Sequence, residues 1–129
     1  MKIRVYYEDT DAGGIVYHAN YLKYCERARS EYFFANNVMP GDGEKNGFVV
    51  RNITAAFLAT AKLGDMLEVC TVVKTLKHSS VTLHQTVYRG SVSLFEMDVV
   101  LVYVESGRPR RIPEDFKALF EQFNASASR

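Results

Sequence analysis

One segment of this chain is helical in pattern and apolar on nearly every side. From about residue 17 to 36, "YHANYLKYCERARSEYFFAN", the residues Tyr21, Tyr24, Cys25, Ala28, Tyr32 and Ala35 recur at offsets of three, four, seven and eleven, which is one face of a helix. Leu22, Phe33 and Phe34 add apolar bulk elsewhere, leaving Lys23, Glu26, Arg27 and Glu31 to share the remaining surface. A helix of that kind must be enclosed by something, and the rest of the chain says what encloses it.

Residues 47–105 read as extended. "GFVVRNITAAFLATAKL" comes first, and a Gly64-Asp65 turn separates it from "MLEVCTVVKTL", where Leu67, Val69, Thr71 and Val73 share a face. "SVTLHQTVYR" and "VSLFEMDVVLVYVE" follow, split by Gly90-Ser91, a connection that suits a hairpin. Long strands with short connections predict an antiparallel meander. Ahead of the helix, "KIRVYYE" alternates as a strand, with Ile3, Val5 and Tyr7 on one side. At the end, "IPEDFKALFEQF" has Pro113 suited to a first helical turn and an apolar stripe of Phe116, Leu119, Phe120 and Phe123, with "NASASR" expected to fray. One long helix and one sheet satisfy both apolar surfaces by packing together. The expectation is a single α+β domain over residues 1–129, a five- or six-stranded antiparallel sheet curled round a central helix. Its open strand edges call for a second copy, as a homodimer or a homotetramer.

At 129 residues, 47% apolar and 24% charged, the chain suits one globular domain. A net charge of +1 gives no general attraction to nucleic acid or to a bilayer, and no apolar run reaches the roughly 20 residues that span a membrane. "MKIRVYYED" has no apolar signal core, and Cys25 and Cys70 stand in no paired motif, so the expected setting is a reducing cytoplasm.

The chemistry concentrates between the first strand and the helix, in "YYEDTDAGGIVYHANY", residues 6–21. Gly13 and Gly14 permit a tight turn and the close approach of a ligand. A helix N-terminus offers unpaired N–H groups and partial positive charge to an anion or a developing oxyanion. A carboxylate, Asp9 or Asp11, next to such groups supplies a base or nucleophile together with a carbonyl polariser, two requirements of acyl transfer. The plainer reading makes the two aspartates turn and cap residues.

The whole string "YYEDTDAGGIVYHANYLKYCERARSEYF" resembles the signature of hotdog-fold acyl-CoA thioesterases, in the branch of the 4-hydroxybenzoyl-CoA thioesterases and the Tol-Pal-associated YbgC-type enzymes. The D-x-D, G, V-Y-H-x-x-Y and E-x-A-R elements are all present, and the element order and length also fit. The resemblance implies hydrolysis of a thioester on coenzyme A, or on acyl carrier protein, with no metal or redox cofactor. It assigns the catalytic carboxylate to Asp11, as nucleophile or as activator of water. It assigns the carbonyl-polarising N–H to His18, whose ring is a weaker candidate for acid–base work, and site-shaping roles to Tyr7, Gly14 and Tyr17. Basic residues at a hairpin tip bind coenzyme A phosphates in related proteins, which points to Lys77, His78 and Ser79. A link to envelope or phospholipid machinery is implied by the relatives alone.

Other candidates have simpler explanations. Glu26 and Arg29 fit an intrahelical pair, and Cys25, seven residues after His18, fits a buried structural thiol. The 77–80 turn and the cluster "GRPRR" at 107–111 serve equally as phosphate sites or as solvated loops. Tyr21, Phe48, Val50 and Phe57 are candidates to line an acyl pocket. Three rival functions stand beside the thioesterase. A metal-dependent hydrolase would use Glu8, Asp9, Asp11 and His18, although neighbouring strand residues point to opposite faces. A dehydratase of the same fold would place its histidine and acid on or near the helix. The third is a non-catalytic acyl- or protein-binding module.

Overall fold

The computed structural model describes residues 1–43 and 45–126, the side chains of 124–126 excepted. Strand β1, Lys2–Arg4, leads through a 3-10 turn at Tyr7–Asp9 into helix α1, Asn20–Ala35. Four long strands follow: β2 (Asn46–Phe57), β3 (Met66–Leu76), β4 (Ser80–Arg89) and β5 (Val92–Glu105). A two-residue β6, Arg108–Pro109, and helix α2, Glu114–Ser126, complete the order.

The expected α+β architecture, a six-stranded antiparallel sheet curled round one long helix, is what forms. Its strand order corrects the expected meander. β3, β4 and β5 are successive hairpin neighbours, with Gly90 at φ +60° in the β4–β5 turn, but β2 lies beyond β5, giving β1-β3-β4-β5-β2. The 58–65 connection therefore crosses from one edge of the sheet towards the other. It crosses at the N-terminal end of α1, where the Val16 N–H donates to the Ala61 carbonyl (2.9 Å) and the Ala61 N–H donates to the Tyr21 hydroxyl (3.1 Å).

Other boundaries move for local reasons. Tyr7 leaves the first strand for the 3-10 turn and is 81% exposed, while Ile3 and Val5 are buried as expected. The helix begins at Asn20 rather than near Tyr17, because residues 9–17 are committed to a hairpin. At the other end, α2 runs on through Ser126, so half of the expected fraying tail is helical; residues 127–129 lie outside the described residues.

The core follows the two periodicities. Tyr21, Tyr24, Cys25, Ala28 and Phe33 of α1 face inward, against alternate residues of the strands such as Leu67, Leu83, Val87, Phe95 and Val99. The stripe Phe116, Leu119, Phe120 and Phe123 of α2 closes the far end of α1: Phe123 stacks on Tyr32 at 3.7 Å, and Phe116 and Phe120 meet Phe33 edge-on. Arg29 departs from the expected pairing with Glu26. It is buried and donates to Gln85 Oε1 (3.1 Å), while Gln85 Nε2 donates to the Cys25 carbonyl (2.9 Å) and the Thr71 hydroxyl (3.0 Å). That network bolts α1 to β3 and β4, and its burial lowers the Arg29 pKa below the usual guanidinium value.

Candidate active site

Between β1 and α1 the chain doubles back. The Tyr17 N–H donates to the Asp9 carbonyl (2.9 Å), Thr10 bridges Val16, and the Asp11 N–H donates to the Ile15 carbonyl (2.9 Å). The tip of this small hairpin closes with the Gly14 N–H on the Asp11 carbonyl (3.0 Å). Gly14 sits at φ +80°, a conformation that glycine adopts without the Cβ clash of other residues. The Asp11 carboxylate lies over the tip, where Oδ1 accepts the Gly13 N–H (2.8 Å). A Cβ added to Gly13 would press on that oxygen at 3.2 Å. Oδ2 has no partner among the described residues, and Asp11 is exposed in the single copy.

Asp9 has a different task. Its Oδ2 accepts the Tyr6 N–H (2.9 Å), and its carbonyl accepts both the Tyr17 N–H and Asn20 Nδ2 (2.9 Å). Asn20, buried in the first turn of α1, also donates its backbone N–H to the Tyr17 carbonyl (2.8 Å). The cap-and-turn explanation thus accounts for the backbone bonds of Asp9, whose carboxylate also lies near the buried Tyr24 phenol, and Asn20 is a clamp that sequence reading did not single out. Each of the motif's two aspartates has one carboxylate oxygen in a loop hydrogen bond and one in none among the described residues. They differ in that Asp9 also ties the hairpin through its carbonyl, whereas Asp11 lies over the tip.

The start of α1 has no side-chain cap, and Ala19 at the cap position already has helical dihedrals (φ −67°, ψ −20°). The N–H groups of His18 and Ala19 have no acceptor among the described residues. A helix that begins without a cap leaves its N–H groups and its partial positive charge available to a ligand. The exposed His18 ring lies 4.5 Å from the Tyr17 ring and edge-on to Phe57 at 6.0 Å, so the end of β2 borders the helix start. Tyr21 is stacked on Phe95 and buried, and its phenol pKa is pushed up by burial. Val50 and Phe57 are exposed on β2, and Phe48 packs among the α2 phenylalanines. Burial pushes the Cys25 thiol up to about 12, which keeps it protonated and unreactive at neutral pH.

Not every site candidate gathers here. Tyr17 touches the His18 ring, whereas Tyr7 makes no ring contact among the described residues. Lys77, His78 and Ser79 lie past the far end of β3, while the hairpin is anchored near its start, where the Gly64 N–H donates to the Val5 carbonyl (2.9 Å). Eleven extended residues at roughly 3.3 Å each separate the two ends by about 35 Å. At that far end Lys77 and His78 share a basin of about 450 Å³ with Arg111 and Lys117; Ser79 is not among its lining residues. The two basic clusters read separately from the sequence therefore meet. Among the described residues, no three His, Cys, Asp or Glu side chains converge as metal ligands.

Comparison with known proteins accounts for this arrangement. Residues 13–96 match the family model described as the thioesterase superfamily. Over 88 residues the chain is 57% identical to the acyl-CoA thioesterase YbgC of Helicobacter pylori, a match covering 68% of this chain and 65% of that protein. Over 127 residues it is 39% identical to the acyl-CoA thioester hydrolase YbgC of Escherichia coli O6:H1, covering 93% of each. Among solved structures, a probable thioesterase from Bartonella henselae superposes with a TM-score of 0.80 at 32% identity, over 88% of this chain and 97% of that one. The chain thus belongs to the thioesterase superfamily, shares its hotdog fold, and is similar to its YbgC members.

Proposed function

We propose that this protein hydrolyses acyl-CoA thioesters in the cytoplasm, with Asp11 as the catalytic carboxylate and the N–H of His18 as the oxyanion donor. The observation that carries the reading is the pairing, within one short loop, of a carboxylate with an unengaged oxygen and a helix start with two unengaged amides. The names of its relatives supply the substrate class. In the step proposed, Asp11 attacks the thioester carbonyl carbon, or removes a proton from a water that does so. The carbonyl electron pair moves to oxygen, is held by the helix amides and returns as the C–S bond breaks. Coenzyme A leaves as a thiolate, which takes up the proton that Asp11 drew from water or, on the direct route, a proton from solvent. On that direct route water then cleaves the acyl–Asp11 anhydride to the free acid and restores the carboxylate. Loss of one such donor typically costs on the order of 10²–10³ in rate, so the amides matter comparably to the carboxylate.

The distances argue for a site shared between two copies. A pantetheine arm does not span the length of β3, so the hairpin and the 77–79 turn of one copy cannot readily serve one coenzyme A. β2, however, is an edge strand with Val49, Val50, Ile53 and Phe57 exposed, and its end lies beside His18 while its start lies at the basin end of the sheet. Two β2 strands paired antiparallel about a two-fold axis would bring the 77–79 turn of a second copy towards this hairpin. Partnering would also cover Asp11.

Free-thiol release from a panel of acyl-CoAs tests the chemistry. Asp11→Asn is expected to lose at least about 10³-fold in kcat while its circular dichroism and unfolding midpoint stay those of wild type. Equal rates in the two proteins would assign the chemistry to another residue. Tight acyl-CoA binding without any thiol release by wild type would make the protein a binding module.

A further inference from the structure

We propose that Tyr24 is a positioning residue for the reaction: its phenol donates to the Asp9 carboxylate as the catalytic hairpin settles on α1, and this latch sets the reach from Asp11 to the helix amides. This rests on the acyl-CoA reading above and deepens it, adding a residue that never touches the substrate.

Tyr24 stands on the second turn of α1, with 1% of its surface exposed and its ring edge-on to that of Tyr21 (6.1 Å, 88°). The ring belongs to the core, and a phenylalanine would fill the same space. The hydroxyl is the anomaly. It is buried and has no hydrogen-bond partner among the described residues. A buried hydroxyl left in that state destabilises a fold relative to the bare ring, so its presence calls for a state in which it is used.

The acceptor stands close by. Tyr24 and Asp9 line one polar cleft of about 190 Å³, which Asn20 and Lys23 border as well. Burial first, and then the charge of the neighbouring Asp9 carboxylate, push the phenol's pKa up, which keeps its proton in place as a donor. Asp9 spends Oδ2 on the Tyr6 N–H (2.9 Å) and keeps Oδ1 without a bond among the described residues. Donor and acceptor are thus adjacent and unspent, and a small shift of the hairpin brings them into bonding geometry. A bond to an ionised carboxylate is among the stronger ones that a phenol can make.

Position makes the latch matter. Asn20 and Tyr24, four residues apart, share one face of α1 on successive turns. Asn20 already holds the Asp9 carbonyl (2.9 Å), which also accepts the Tyr17 N–H (2.9 Å). Tyr24 grips the same residue by its side chain. Asp11 lies two positions beyond Asp9 on one strand of the hairpin, and His18 follows Tyr17 on the other. A bond from the buried phenol to Asp9 therefore steadies both strands at once, and with them the separation of carboxylate and amides.

Acyl-CoA kinetics, chemical denaturation and amide hydrogen exchange of Tyr24→Phe test this. The expected result is a kcat lower by about 5- to 10-fold, a KM within about twofold of wild type, and a denaturation midpoint that is not lowered. The Tyr17 amide, tied to Asp9, should exchange about 3- to 10-fold faster than in wild type. In an Asp9→Asn background the same substitution should cost less than about twofold further, because the ionised acceptor is gone. Lys23→Ala, on the exposed rim of the cleft, should keep the wild-type kcat. A wild-type kcat in Tyr24→Phe, losses that add in the double variant, or an equal loss in Lys23→Ala would overturn the proposal. Faster Tyr17 exchange in Tyr24→Phe, in a protein that hydrolyses no acyl-CoA, would uphold the latch and sink the thioesterase. Brisk hydrolysis with kcat and exchange both indifferent to Tyr24→Phe would do the reverse.

Discussion

Asn20 shows how much of a catalytic loop is held by groups that never meet a substrate. Its amide and its backbone N–H grip both strands of the hairpin, at the Asp9 and Tyr17 carbonyls, so the distance from Asp11 to the helix amides depends on it. Asn20→Ala would leave a partly buried carbonyl with one donor fewer. The expected cost is about 1–2 kcal/mol in stability, and a fall of about tenfold in kcat with KM little changed. Chemical denaturation and acyl-CoA kinetics measure the two effects separately, and a KM effect without a kcat effect would deny the positioning role. The sequence pointed to Asp11 through a spacing shared with a family, but it carried no comparable mark for Asn20, since a helix-starting Asn reads as an ordinary polar residue. Arg29 was harder still. A long cation on a helix is ordinarily a surface residue, and only the position of Gln85, brought from β4, makes an inward course tolerable.

At the scale of elements, what was legible is what periodicity encodes. The stripe of α2 formed as spaced, and so did the inward face of α1 from Tyr21 to Ala28, because a 3.6-residue repeat fixes a face whatever lies opposite. In the last turns of α1 Phe33, expected on another side, is the buried residue, while Tyr32 is half-buried and Ala35 exposed. Phe120 is fully buried between Phe33, Phe48 and Phe123, so Phe120→Ala is expected to cost about 3–5 kcal/mol, read as a lowered denaturation midpoint with an unchanged slope. A loss under about 1 kcal/mol would mean that α2 is not integral to the core. The partner of β2 was not legible. Alternation tells which residues of a strand share a face, not which strand lies alongside, and the shortness of the 58–65 connection favoured the neighbour in sequence over the true one. Residues Lys77 and Arg111 met for the same reason: the sheet brings together what the chain order keeps apart.

For the whole molecule the edge strand decides the functional unit. Val50→Asp with Ile53→Asp places charge on the exposed β2 ribbon without touching the buried core. If pairing through β2 completes the site, sedimentation should show a monomer in place of a dimer, and acyl-CoA turnover should fall about 10²-fold or more at dilute protein, with thermal unfolding still cooperative. A variant that stays dimeric at full activity would place the seam elsewhere. The position of β2 also governs how the chain comes into being. Phe57 pairs with Phe95 and Asn46 with Glu105, so β2 leaves the ribosome long before its neighbour exists, while β3, β4 and β5 can zip together in the order they are translated. The nascent protein must therefore carry one unsatisfied ribbon until synthesis is nearly finished. That interval, rather than the finished fold, is when a trailing chaperone would have the most to do.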